Sequence, residues 1–572
     1  MVSKRWQIAP QAPLEYVEQL RHHDIHPVLA HILYQRGYQS LQEVETFLGH
    51  YDQDDNPFRL KGMLEAVFRL RLAIRNGEQI AVYGDFDVDG VTSTVLLCEV
   101  LSELGAKVQP YIPNRIDEGY GLHLEALKSL AEAGVSVVIT VDCGIRSVQE
   151  VEAARELGLD VIITDHHSVA PVLPPAVAVI NPKQSDCRYP EKMLAGVGIA
   201  YKLAQALYME AQRRGYRPQR DWHPDEWLDL VAIGTVADVA PLRGENRELV
   251  RRGLRRLNQT DRVGLQALYS VIDIKPGSVL PTTIGFAIGP RINAAGRLRS
   301  AMLAYHLLTA VDYRKAMQIA QDLESINHDR REMTFNMTAW AEQQLADQVD
   351  EMPLLFIADS GFEQGIVGLI ASRLTDRYYR PTVVIELGEE ESHGSCRSIP
   401  EFHITHALQD CDDLLEQYGG HSVAAGFTIR NENIPALKQR LMDLAANGLA
   451  EQQPEATLVI DTQLELCDAT PHLVSALGDL EPTGAGNPVP LFVSRNVKIE
   501  SKETVGAEDR HLKLHLSDGN GTAVQAIAFR RGAEYHHLPD ALDIVYQLTF
   551  DEWRGRRRLQ LNIKDMRPAG SQ

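Results

Sequence analysis

Three runs rich in β-branched residues, QIAVYG from Gln79, VSVVITV from Val135 and DVIIT from Asp160, alternate with helical patterns, and this rhythm constrains the chain more than any other feature. Strands and helices alternating in this way build a parallel α/β sheet. In an open sheet of that kind ligands bind beyond the carboxyl ends of the strands. Each run ends there in acidic or imidazole residues: Asp85, Asp87 and Asp89 within Gly84 to Gly90, then Asp142 in VDCG, then Asp165, His166 and His167. A further acid, Asp238 in GTVADVAPL, follows an apolar helical stretch.

At 572 residues the chain exceeds one hydrophobic core, so several modules are expected. From Leu298 to Met352 there is no Gly or Pro, and apolar residues at Ala316, Ile319, Ala320 and Leu323 keep helical spacing. A second α/β pattern follows, with strands near LLFIAD and PTVVIEL, a helix at GIVGLIASRL and Gly-rich segments at SHGSCRS and GGHSVAAG. Alternating runs beyond it, with a hairpin turn at Asp518 to Gly521, suggest a small β-barrel such as an OB-fold. The expected architecture is a multidomain α/β chain. Its parts are an N-terminal segment at 1–55, a parallel-sheet catalytic domain at 56–297, a long helical connector at 298–350, a second α/β domain at 351–452 and a C-terminal β-barrel at 453–572.

Hydrophobic content of 44%, without a run of the roughly 20 apolar residues that span a bilayer, points to a soluble protein. Lys4, Arg5 and Trp6 lead into polar sequence rather than an apolar signal core, so a cytoplasmic location is expected. The six cysteines are scattered without a CxxC pair, which fits neither a disulfide framework nor a zinc ribbon. A net charge of −21 argues against a protein that coats nucleic acid, because phosphate binding is driven by Lys and Arg. Any nucleic-acid chemistry here needs locally concentrated basic residues and divalent cations in the carboxylate-rich site.

Singly, the acidic motifs have bland readings. A DxDxDG loop resembles a calcium site, but Leu96 stands where an EF-hand places its bidentate Glu. A lone Asp at a strand end is commonly a helix cap. Their coincidence at three successive strand ends favours a site for two hard divalent ions, which need several carboxylates converging from different strands. GHSVA departs from the GxSxG nucleophile elbow at Ala424, so Ser422 is rejected as a nucleophile. No GxxxxGK[ST] loop occurs, so ATP-driven unwinding is not expected of this chain.

Taken in order, Asp85 to Gly90, VDCG, Asp165-His166-His167 and GTVADVAPL resemble the successive motifs of the DHH phosphoesterases. GPRINAAGRL, from Gly289 to Leu298, is similar to a further motif of the RecJ branch, and GGHSVAAG to the signature of the associated DHHA1 domain. The resemblance implies a metal-dependent exonuclease of single-stranded DNA, 5′ to 3′, releasing 5′-mononucleotides in recombination and repair. It implies two Mn²⁺ or Mg²⁺ ions held by Asp87, Asp89, Asp142, His166 and Asp238, with Asp142 bridging and Asp85 a ligand or a neighbour. Water would then attack phosphorus in line. His167 would contact the scissile phosphate, and Asp165 would orient an imidazole. A single-strand-binding protein and a RecQ-type helicase are the candidate partners.

For the nucleic acid, Arg291, Asn293 and Arg297 lie among small residues that let backbone approach a phosphate. Arg373 and Arg397 are similar candidates, and Gly419, Gly420 and His421 would face the cleaved phosphate or the terminal nucleotide. The arginines between Arg247 and Arg256 read as a solvated face laced to Glu248. Trp553 and Arg556, in a run of four arginines, are either a single-strand platform or a basic hairpin tip. Two alternatives stay open: a small-substrate DHH phosphoesterase, and a non-catalytic DNA-binding scaffold.

Overall fold

The computed structural model describes residues 4–49, 55–115, 117–215, 220, 222–345, 349, 351–450, 454–553 and 556–571. They fall into two compact units, residues 54–240 with 245–456, and residues 4–53 with 241–244 and 457–572. Among the described residues no helix is long and apolar enough to cross a membrane.

The first unit opens with five parallel strands in the order Lys107–Tyr111, Gln79–Gly84, Val135–Val141, Asp160–Thr164 and Ala178–Ile180. Side chains alternate across each strand, so every strand serves two cores. Ile80, Val82, Val137 and Ile139 join one core with helices Met63–Asn76, Val88–Glu103, Gly196–Arg213 and Leu228–Ala237. Ala81, Tyr83, Val138 and Val161 join the other with helices Leu124–Glu132 and Val148–Glu156. The chain leaves Gln79–Gly84 towards one edge and then crosses to the opposite side, which opens a crevice between the carboxyl ends of Gln79–Gly84 and Val135–Val141. That switch point is where open α/β sheets bind ligands.

The same unit holds a second sheet in the order Leu415–His421, Ala424–Arg430, Glu391–Arg397, Thr382–Glu386 and Leu355–Asp359. Its last two strands are parallel and the others antiparallel. Helix Tyr313–Leu345 ties the lobes together. Ala316, Ala320 and Leu323 at its start are buried in the first lobe's core, while Ala341 and Leu345 at its end are buried beneath the second sheet. The segment GPRINAAGRL is itself a helix, Gly289–Leu298, whose small residues pack against neighbours. Its backbone N–H groups are committed to the helix, so hydrogen bonds to a phosphate would fall to its side chains.

In the second unit, strand Phe492–Val505 pairs with both His511–Ser517 and Ala541–Trp553, and with Ala523–Ala528 and Arg556–Pro568 this closes a five-stranded barrel of OB type. The N-terminal segment belongs to this unit. Strand Arg5–Ile8 runs parallel to Thr457–Ile460, and Leu20, Leu29 and Leu33 share a core with Leu512, Leu514 and Ile544 of the barrel. If that core is shared, Leu29→Ala should destabilise the barrel by roughly 2–5 kcal/mol, as buried Leu truncations do. Hydrogen exchange of the Ala541–Trp553 amides reads this out, and an unchanged barrel would refute the joint core.

Candidate metal centre

The motif after Gln79–Gly84 places its three carboxylates by three different devices. Asp85 is buried directly past the strand. Asp87 caps helix Val88–Glu103, accepting the Gly90 amide at 3.0 Å. Asp89, inside that helix, accepts the amides of Gly196 and Val197 at 2.7 and 2.8 Å, so the N-terminus of helix Gly196–Arg213 points at its carboxylate. That approach requires glycine: a Cβ at Gly196 would lie 2.9 Å from the Asp142 Cβ, and one at Gly234 would lie 2.9 Å from Asp89 Oδ1.

Across the crevice, Asp142 follows Val135–Val141 with φ 62°, a left-handed backbone that non-glycine residues adopt at a cost of about 1–3 kcal/mol. His166 Nε2 lies 3.0 Å from Asp142 Oδ1 and 3.9 Å from Asp89 Oδ2, and its Nδ1 lies 3.8 Å from Asp238 Oδ2. Asp238 ends helix Leu228–Ala237, and Val239 beyond it is also left-handed, at φ 59°. Asp165 is fully buried beneath this group. It accepts the Ile145 amide at 2.9 Å, the His167 amide at 2.9 Å and His167 Nδ1 at 2.8 Å. The carboxylate thus holds the proton on Nδ1 and leaves Nε2 of His167 available.

Three triads can each close on an ion: Asp85, Asp87 and Asp142; Asp89, His166 and Asp238; Asp142, His166 and His167. Burial, then the neighbouring Asp87, pushes Asp85 up to about 8 and Asp238 up to about 7. Burial and neighbouring carboxylates also raise Asp89 and Asp142 well above the usual range. Burial, then His167, pushes His166 down to about 3. For Asp165 burial acts upward, but the hydrogen bonds and charge of His167 and the Ile145 amide outweigh it and hold the carboxyl low. Burial likewise acts downward on His167, and Asp165 outweighs it.

The donor set fits divalent cations. Asp85 Oδ1, Asp142 Oδ1 and His166 Nε2 are buried without a hydrogen-bond partner, the last two despite their proximity to each other. Carboxylate oxygens with one or two imidazoles suit Mn²⁺ and Mg²⁺.

The other residues singled out from sequence divide into two sets. His421, on the second sheet, lies with its ring parallel to His167 at 6.4 Å between centroids. Arg297 donates to the Gly365 carbonyl at 3.1 Å and is pushed down to about 9 by burial and by Arg115, Arg330 and Arg397. Among the described residues none of these four arginines is ion-paired, and Nε of Arg115 and of Arg330 lacks a partner. Arg115 stacks over Phe86 at 4.0 Å, and Arg397 donates to the Cys396 carbonyl at 2.8 Å. Arg373, on helix Gln364–Tyr378, is close enough to repel Arg330.

By contrast, Arg291 already has an anionic partner, Glu324 at 2.7 Å. Asn293 is half-buried on the same helix. Gly420 is explained by its hairpin, since a Cβ there would meet the Ala424 carbonyl at 2.3 Å, whereas Gly419 faces open space. Arg247 is buried rather than solvated, while Arg251 does pair with Glu248 at 2.5 Å. Trp553 and Arg556 pair across a hairpin tip, and their side chains lie outside the described residues.

Sequence reasoning missed Arg115, Tyr120, Lys183 and Gly196. The Tyr120 hydroxyl donates to the Asp142 carbonyl at 3.3 Å and meets His167 Nδ1 at 3.2 Å. Lys183 is half-buried near Asp238 and Asp165, and burial lowers its pKa against their pull. No spacing pattern marks these residues.

Residues 79–235 match the DHH family, N-terminal domain, residues 351–447 the DHHA1 domain and residues 460–565 the RecJ OB domain. The single-stranded-DNA-specific exonuclease RecJ of Bacillus subtilis is 39% identical over 546 residues, covering 95% of this chain and 68% of that protein. That of Dickeya dadantii is 37% identical over 564 residues, covering 95% and 96%. RecJ of Thermus thermophilus in complex with Mn²⁺ superposes with a TM-score of 0.84 at 31% identity, covering 99% of this chain and 80% of that one. Its Mg²⁺ complex gives 0.78 at 30%, covering 99% and 79%.

A pH dependence follows from the carboxyls. Their folded pKa values, about 8 for Asp85 and about 7 for Asp238, exceed the unfolded value near 4, so the folded chain keeps protons that the unfolded chain has lost. Stability of the metal-free protein should therefore fall as pH rises from about 5 to about 8. Mn²⁺ or Mg²⁺ should cancel the decline, so the gap in Tm between loaded and metal-free protein widens with pH. A gap that stays constant over that range would contradict the assignment.

Proposed function

The chain belongs to the RecJ family of DHH phosphoesterases, and from that premise we infer that it is a metal-dependent exonuclease hydrolysing the phosphodiester bonds of single-stranded DNA. The observation that carries this reading is the meeting of Asp85, Asp87, Asp89, Asp142, His166 and Asp238 at the switch point of one sheet. We assign Asp87, Asp89, Asp142, His166 and Asp238 to two divalent ions, with Asp142 shared and Asp85 beside them. When bound, such ions supply hydroxide at neutral pH for in-line attack and neutralise charge on the phosphate oxygens.

The chain's own groups do the rest. Asp165 fixes the His167 ring so that Nε2 is its available atom for a phosphate oxygen. The charged form that Asp165 favours in His167 suits that contact. The arginines Arg115, Arg297, Arg330 and Arg397, half-buried and without an ion pair among the described residues, form a cationic cluster beside the carboxylates, suited to a terminal phosphate. With one phosphate held there and the next at the metal centre, breaking the P–O3′ bond releases a 5′-mononucleotide. The shortened strand then carries a new 5′ phosphate for the same pocket, which supports 5′ to 3′ polarity. The rings of His167 and His421, 6.4 Å apart between centroids, bring imidazoles from both lobes to one place, which suits contacts to one phosphate from two sides.

Recombination and repair are the processes such an enzyme serves, in the cytoplasm. A single-strand-binding protein and a helicase that deliver single strands are its expected partners.

End-labelled single and double strands, digested with Mn²⁺, Mg²⁺ or chelator, test this reading. Single strands should shorten from the 5′ end in the presence of either metal. A strong preference for a dinucleotide over a long strand would overturn it in favour of a small-substrate phosphoesterase. Asp87→Ala and Asp142→Ala should abolish cleavage while DNA binding persists. Asp165→Asn should lower activity by about 10–100-fold, the range found when the partner of an active-site imidazole is lost.

A further inference from the structure

Phe286 leaves 82% of its surface exposed, more than any other large aromatic residue described. Scattered exposed apolar residues are ordinary, so its position has to decide. Phe286 lies in the π-helical turn Ile284–Ile288, directly before helix Gly289–Leu298, and such turns concentrate at functional sites. That junction abuts the metal centre. A Cβ at Gly289 would lie 3.6 Å from Ala237, the residue before Asp238, and 3.9 Å from Val88, between Asp87 and Asp89. Gly296, towards the other end, would meet the Phe86 carbonyl at 2.4 Å. The helix therefore runs alongside the acidic motif, with the arginine pocket at its Arg297 end and Phe286 beyond its start.

One face of this helix is less buried than the other. Phe286 is exposed, and Pro290, Asn293 and Arg297 are half-buried at helical spacing from it, while Ile288, Ile292 and Ala295 face the core. From Arg297 to Phe286 is roughly 16 Å at the helical rise, which an extended single strand, longer per nucleotide than the roughly 3.4 Å of duplex, covers in a few nucleotides. Val239, next to Asp238, is also 70% exposed and left-handed, a second exposed apolar residue adjoining the acidic motifs in sequence.

We propose that Phe286 is a base-stacking platform, holding the single strand a few nucleotides downstream of the bond being cut, with the Phe286–Asn293–Arg297 face as its track. The proposal rests on the exonuclease reading above. Every base has a π-face, so the platform grips any sequence and releases it at each step. It gives the enzyme a preference for strands long enough to reach it.

The test compares kcat/KM on a 5′-phosphorylated oligonucleotide of about twelve nucleotides with that on a dinucleotide, for wild type, Phe286→Ala and Phe286→Trp. Loss of one stack, about 1–3 kcal/mol, should lower the oligonucleotide-to-dinucleotide ratio about tenfold or more in Phe286→Ala, mainly through KM, and Phe286→Trp should restore it. Single abasic sites placed along the oligonucleotide should include one position that weakens the wild type but is silent in Phe286→Ala. Equal losses on both substrates, no loss on either, or no Phe286-dependent abasic position would overturn the proposal. A wild type inactive on both substrates in Mn²⁺ and Mg²⁺ would instead remove the exonuclease reading, and the proposal with it.

Discussion

The first lobe is organised around the repulsion between carboxylates buried within one small volume. Asp85, Asp89 and Asp142 are nearly inaccessible to water, and neighbouring acids raise each of them further. Such a cluster keeps its geometry only if the backbone around it is fixed by other means. The parallel sheet supplies two of the walls, and the amides at the start of helix Gly196–Arg213 hold Asp89 from the third side. Left-handed Asp142 and Val239 store local strain that the surrounding cores offset. Even so, the protein alone leaves three polar atoms unsatisfied, and divalent cations complete the arrangement.

Opposite charge stands directly alongside. The arginine pocket, with Arg297 pushed down to about 9 by burial and its neighbours, is as short of anions as the acidic cluster is short of cations. Divalent cations on one side and a phosphate on the other are the charges two such clusters would accept. The sets draw on both lobes, Arg397 and His421 from the second sheet, Asp142 and His167 from the first. Helix Tyr313–Leu345, anchored in both cores, keeps the two sets in register.

What could be read from sequence was whatever repeats or stands at a fixed offset. Strands Gln79–Gly84, Val135–Val141 and Asp160–Thr164 announce themselves by long β-branched runs, and their acidic ends followed from the rule for open sheets. Strands Lys107–Tyr111, polar and interrupted by Pro110, and Ala178–Ile180, only three residues long, carry no such signal. Arg115 lies four residues past the first of these, so missing the strand hid the arginine. The helical state of Gly289–Leu298 was not evident, because glycines that serve close packing are indistinguishable in sequence from glycines that serve a turn. Pairing of Arg5–Ile8 with Thr457–Ile460 joins chain segments far apart in sequence, which periodicity does not report.

The acidic balance of the chain, −21 overall, bears on how such an enzyme meets a polyanion. Long-range attraction would call for a basic surface, which coats duplex and single strand alike. Here Arg297 and its neighbours Arg115, Arg330 and Arg397 gather beside the carboxylates without an ion pair among the described residues. Discrimination then falls on steric access and on contacts made inside the cleft, while the exterior contributes little to affinity. A chain of this net charge attracts weakly every strand that stays outside, so preference for single strands has to come from contacts made within the site.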